Sequence, residues 1–273
     1  MTKSEKSGVP EGEELVQKAA AEVAAFQAEM MADAGAGFED ADASAYAIPF
    51  LYVLQSGSPQ CKKSDGAYIK GAEEGMLFDT VGKRLFSGET GVVVIPCHYT
   101  QRFIEWQPRE SGGGFVAEHA PESNILARTC KDAKGRDALP NGNTIADTRN
   151  HYVLLIEEDG SATPMLLSMA STQQKKSKQW MAQMNGIKIR NPQTGQFVTA
   201  PMMSRMYRIT TVPESNEHGS WFGFNINLEG IVTDRSQYAA AKAFQQAVRS
   251  GASRARYDNL AEHLAKEPEE QAF

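Results

Sequence analysis

Long apolar runs are missing from this sequence. None approaches the roughly 20 residues that a bilayer span requires, so no membrane attachment is expected. The opening residues, MTKSEKSGVPEGEELV, contain no apolar h-region and do not read as a secretory signal. Cysteine is scarce. Cys61, Cys97 and Cys130 stand far apart, which excludes a disulfide framework and predicts reduced thiols in a cytoplasmic setting. The motifs of common catalysis are missing too. There is no GxSxG, no HExxH, no GxxxxGK followed by Ser or Thr, and no GxGxxG opening a helix after a strand. The five histidines, His98, His119, His151, His218 and His263, are scattered. Cys61, Cys97, His98, His119 and Cys130 include no close CxxC-type pair, as a structural zinc site would. Glu157, Glu158 and Asp159 read as a solvated hairpin tip. No enzyme activity, metal or cofactor is therefore expected.

What is present is ordinary in amount and uneven in placement. The 273 residues suffice for a proper core, and 23% charged with 41% hydrophobic residues fits a globular chain. The net charge of −6 hides a division. Residues 1–45 carry ten acids against three lysines, a net −7, and residues 258–273 carry a net −4. The remaining 46–257 are thus +5. A basic middle between acidic ends points to a polyanionic partner.

The stretch from Gly88 to Arg109, GETGVVVIPCHYTQRFIEWQPR, organises that middle. Val92 to Ile95 is a β-branched apolar run that reads as a buried strand. Beyond it Arg102, Ile104 and Trp106 fall on one face, and Tyr99, Gln101, Phe103 and Glu105 on the other. Single-stranded nucleic acid is held by aromatic rings that stack on bases and by cations along the backbone. On that logic the candidate contacts are Tyr99, Arg102, Phe103, Trp106 and Arg109; Arg149 and Tyr152; Arg205, Tyr207 and Arg208; and Trp221. Lys175, Lys176 and Lys178 add charge one turn from Trp180. For each ring, core packing is the competing reading; for the lysines it is a solvated helix face.

Along the chain, residues 11–32 read as an Ala-rich helix with a stripe of Leu15, Ala19, Val23, Phe26 and Met30. The stripe suits packing on its own domain, docking to a partner, or a homo-oligomer contact. Strands are predicted over Ile48–Gln55, His151–Glu157 and Thr163–Met169, the last two joined by an Asp159-Gly160 turn. Gly112–Asn150 is irregular. Ser171 reads as the N-cap of a helix to Met184, and Asn185–Ala200 as a loop. Strands follow at Arg205–Val212 and Trp221–Glu229, then a helix from Arg235 to Arg249 ended by Gly251. Strand and helix do not alternate, which argues against a parallel doubly wound sheet. The predicted class is mainly β with flanking helices (α+β): an OB-like antiparallel barrel with an inserted helix and terminal helices. The domain reading is an acidic helix and linker (1–45), a nucleic-acid-binding core (46–234), a C-terminal helix (235–257) and an acidic tail (258–273).

That tail ends Glu267-Pro268-Glu269-Glu270-Gln271-Ala272-Phe273. An acidic run with a last-residue Phe resembles the tails of single-stranded DNA-binding proteins of bacteria and their phages. The runs GVVVIPCHYTQRFIEWQPRESGGGF and TQQKKSKQWMAQM look like phage proteins of replication and recombination regions. The resemblance implies an OB core that coats single-stranded DNA in the host cytoplasm. It also implies a tail whose Glu267, Glu269, Glu270 and Phe273 dock replication or recombination proteins. Two alternatives stay open. One is a phage protein-interaction or structural protein, such as a host-enzyme inhibitor or virion component. The other is a metal-dependent nuclease built on Asp147, Glu157 and Glu158.

Overall fold

The computed structural model describes residues 11–41, 45–217, 219–258 and 260. The chain forms two compact units, 1–42 and 43–273. The first holds helix α1 (Glu11–Ala32), on which Leu15, Val23, Phe26 and Met30 are all exposed.

The second unit is mainly antiparallel β. Three short strands, β1 (Leu51–Val53), β2 (Leu77–Asp79) and β3 (Leu85–Phe86), make a small sheet. Two long strands, β4 (Val92–Trp106) and β8 (Thr144–Ile156), pair along their length and form the spine of the main sheet. At one end of this spine β4 pairs with β5 (Phe115–His119), while β8 pairs with β7 (Asp137–Ala138), which carries β6 (Cys130–Lys131). So the stretch expected to be irregular supplies three short strands. At the other end β8 pairs with β9 (Ala162–Ala170), and β4 with β12 (Arg205–Asn216), which forms a hairpin with β13 (Gly219–Ile231).

The order β13-β12-β4-β8-β9 curls into a half-barrel. In chain order it is a three-strand meander, then α2 (Gln174–Gly186), then a hairpin whose first strand returns to β4. This matches the OB-like expectation. The segment around β1 lies along the open side. Phe50 bridges in parallel to Leu166 of β9. Facing β13, the Gln55 amide accepts from Phe222 N at 2.8 Å and donates to Phe222 O at 2.8 Å, as a neighbouring strand would.

Strand alternation divides the apolar side chains between two cores. Val92, Val94, Val153, Leu155, Met165, Leu167, Tyr207, Ile209 and Phe224 face one side, where Trp180 and Met184 of α2 plug the barrel. Ile95, Cys97, Ile104, Tyr152, Leu154 and Leu166 face the other, beneath α3 (Arg235–Ser250) and the segment carrying Tyr257 and Leu260. A sheet buried on both faces explains the near-continuous apolar runs at Val92–Ile95 and Val153–Leu155. Cys97 is an extra residue. Pro96 pairs with Val153 and His98 with Tyr152, so a bulge separates them. Burial pushes the Cys97 thiol up to about 12, which keeps it protonated and unreactive.

The ends of α3 follow from sequence. The Asp234 carboxylate accepts from Ser236 N at 2.7 Å, and Gly251 adopts the left-handed conformation (φ 78°) that ends the helix. Ser171 is a correction. It sits at φ 50° as the first residue of a short 3-10 turn (Ser171–Gln173) and does not cap α2, which begins after Gln173 without a side-chain cap.

Candidate nucleic-acid interface

Most rings expected to stack on bases serve the cores. Phe103 packs with Ile125, Leu139 and Ile145. Tyr152 lies under α3, edge-on to Phe244 at 6.2 Å. Tyr207 is 1% exposed and edge-on to Trp180 at 5.4 Å. A ring with no open face cannot receive a base, so these three are corrected to core residues. Trp106 is half-buried, edge-on to Phe115 at 6.2 Å and to Tyr257 at 6.4 Å. Tyr99 lies 5.2 Å from the His151 ring, and its hydroxyl accepts from Arg149 at 3.1 Å. Trp221 is half-buried, and its indole N–H donates to Glu214 at 2.8 Å.

The cations on these strands are occupied. Arg102 meets Glu118 at 2.6 Å, Arg149 meets Asp147 at 2.7 Å, and Arg208 holds Glu229 through two bonds of 2.9 and 2.7 Å. Arg205 donates to the Ser204 carbonyl at 3.0 Å. Such pairs contribute only about 0–1 kcal/mol to stability where exposed. The three pairs do lower the local positive field, because Arg102, Arg149 and Arg208 each already face a carboxylate. The side chain of Arg109 lies outside the described residues, as do Glu267, Glu269, Glu270 and Phe273.

A different surface carries unpaired charge. About one residue in eight of the chain is Asp or Glu, 34 of 273. Yet no acid occurs between Asp159 and Glu214, a stretch that holds Lys175, Lys176, Lys178, Lys188, Arg190, Arg205 and Arg208. Its centre is α2 with the hairpin that follows, β10 (Lys188–Arg190) and β11 (Phe197–Thr199). The expected loop over 185–200 is therefore a two-stranded ribbon.

Helix α2 turns Ser177, Trp180 and Met184 inward. Its first turn is fastened to the β12–β13 hairpin. Lys176 meets Glu214 at 2.6 Å, Gln173 Nε2 donates to Glu214 at 3.2 Å, and Gln173 Oε1 accepts from Phe224 N at 3.1 Å. Burial works to raise the Glu214 carboxyl, but Lys176, Trp221 and Gln173 together hold it below its ordinary value. Gly223 makes room for this cluster: a Cβ there would stand 2.3 Å from Glu214 Oε2 and 2.7 Å from Lys176 Nζ. Fixing Lys176 inward leaves Lys175 and Lys178 exposed on the opposite face, with no carboxylate partner among the described residues. They line an open groove of about 590 Å³ with Ser171, Thr172, Gln174, Gln179 and Ala182. Ammonium groups without a carboxylate partner suit a phosphate-bearing chain.

Under α2 lies a buried histidine. His151 stacks on Trp180 at 4.6 Å and shares a 2.7 Å hydrogen bond with Ser177. Burial holds its pKa down to about 3, so the imidazole is neutral and part of the core rather than the basic face.

Residues 16–254 match the family model described as Pam3 phage gp34-like protein. The chain belongs to the Pam3 phage gp34-like family. The match spans most of α1 and the barrel through α3. No curated protein and no solved structure matches the chain. The membership places this chain in a phage protein family, consistent with the resemblance to phage proteins. In this Pam3 phage gp34-like chain the carboxylates considered for a nuclease do not converge. Asp147 lies within β8 and Glu157 ten residues further on; at about 3.3 Å per residue that is roughly 30 Å. Asp147 is engaged by Arg149 and Gln101, and Glu157 by Arg84. Among the described residues no cluster of His, Cys, Asp or Glu is arranged to hold a metal, and no helix is long and apolar enough to cross a membrane.

Proposed function

We propose that this chain is a phage single-stranded DNA-binding protein. It coats the strand with little sequence preference during replication or recombination and performs no catalytic step. The observation that carries the reading is the acid-free basic segment mounted on an OB-like barrel, with Lys175 and Lys178 unpaired at its surface. Phosphate neutralisation needs only exposed cations in a row. In this reading the acidic tail, with Glu267, Glu269, Glu270 and Phe273, competes for the basic face and docks partner proteins.

The test is anisotropy of a labelled oligo-dT at several salt concentrations, with the full chain and a chain ending at Leu260. The cut follows Leu260 because that side chain belongs to the core under α3. The expected result is binding that weakens with log salt at a slope of about −0.7 per phosphate engaged, and tighter binding without the tail. No binding by either chain at low salt overturns the proposal. That result would favour the second reading, a phage protein-interaction or structural protein, which is supported by the inward rings and by the exposed apolar side chains of α1.

A further inference from the structure

The ribbon β10–β11 is unusual in this unit because both its faces are open. All six of its strand residues are exposed, and Phe197 is 73% exposed, the most of any phenylalanine described. The ribbon is nonetheless well defined. Asn191 Oδ1 accepts from Gln193 N at 2.9 Å and Thr194 N at 3.2 Å, Gly195 adopts φ 71°, and Asn191 N donates to Gln196 O at 2.8 Å. At the other end Ala200 N donates to Ile187 O at 2.9 Å. These end bonds make 191/196 and 187/200 hydrogen-bonded pairs. The alternation of an antiparallel ladder then makes Arg190/Phe197 and Lys188/Thr199 non-hydrogen-bonded pairs, whose side chains approach most closely. One face of the ribbon thus presents Lys188, Arg190, Phe197 and Thr199 side by side. Lys188 Nζ lies 2.7 Å from Thr199 Oγ1, and Arg190 Nε donates to Gly195 O at 3.3 Å. Neither cation has a carboxylate partner among the described residues.

An apolar ring held open to solvent between cations is costly to hydrate unless something covers it. The absence of any acid from Gly160 to Pro213 argues for an anionic cover. We infer that the ribbon is a base-stacking finger: Phe197 receives an unpaired base, and Lys188 and Arg190 hold the flanking phosphates. The occupant is single-stranded nucleic acid, since the bases of a duplex offer no free face to a side chain at the surface. This inference rests on the nucleic-acid reading above and names the contact through which single strands are distinguished from duplex.

The experiment compares the full-length chain with Phe197→Ala and Phe197→Trp, using a labelled dT oligomer and a labelled duplex of equal length across a salt series. Stacking on one base predicts that Phe197→Ala weakens dT binding about tenfold, with the salt slope unchanged, and leaves duplex binding as it was. Phe197→Trp retains affinity, and its added indole emission is quenched by dT. Since the side chain at 197 lies outside every core and is mostly exposed, both variants keep the melting temperature of the parent. If the parent binds dT with a salt slope while Phe197→Ala binds equally well and the Phe197→Trp emission is unmoved, the finger is overturned and the nucleic-acid reading stands. If the parent does not bind at all, both fall.

Discussion

Two regions of this molecule carry rings beside cations, and they differ in what surrounds them. On the spine strands and their neighbours Arg102, Arg149 and Arg208 face Glu118, Asp147 and Glu229, while Phe103, Tyr152 and Tyr207 are buried. On α2 and the ribbon Lys175, Lys178, Lys188 and Arg190 face no carboxylate among the described residues, and Phe197 is open to solvent. The same residue types build an interior in one place and a surface in the other. Composition of a segment therefore says less than the supply of opposite charge and cover around it.

The comparison breaks most visibly at Tyr207. If it is core, Tyr207→Ala removes a large fully buried side chain and lowers stability in urea by about 3–5 kcal/mol. If it were a DNA contact, stability would hold and dT binding would fall. A second probe is acid. The unfolded chain protonates His151 near its ordinary value of about 6.5, while the folded chain resists until about pH 3. Folding stability therefore falls as pH drops through that window, with a slope of up to roughly 1.4 kcal/mol per pH unit from this group. His151→Gln should flatten that part of the urea-midpoint profile and leave dT binding at neutral pH intact. Third, Lys175→Ala with Lys178→Ala should make the salt slope shallower by about 1.4, two phosphates at about 0.7 each, at constant melting temperature. A slope unchanged by both substitutions would remove α2 from the interface. The smallest effect belongs to Arg102→Ala: less than about 1 kcal/mol in stability and no change in the salt slope, since Glu118 already occupies that cation.

The barrel was legible because its strands bury side chains, on both faces in β4 and β8 and mainly on one in β13. Val92–Ile95, the Asp159-Gly160 turn and Phe222-Phe224-Ile226 each announce a strand or a hairpin through burial or turn chemistry, and the structure has them. The ribbon was not legible for the converse reason: neither face is buried, so no period-two pattern in hydrophobicity marks it. The partners of the arginines were hidden by topology. Glu118 follows Arg102 by sixteen residues and Glu229 follows Arg208 by twenty-one, and only the pairing of adjacent strands brings them together. One signal of the basic surface does lie in the sequence itself: the run without a single Asp or Glu from Gly160 to Pro213.

The unmatched Cys97 has a consequence for how the chain finds its alignment. Before it, odd-numbered Ile95 looks towards α3; after it, even-numbered Ile104 and Trp106 do. Strand β4 is thus one continuous ribbon to the backbone but two strands of opposite parity to the side chains. Without the bulge, a pairing of β4 with β8 that suits one half turns the other inside out, because a one-residue shift sends every side chain to the opposite face. The bulge works as a key cut into the longest strand, and it admits a single setting. Deleting that one residue would not shorten the strand so much as reverse everything downstream of it.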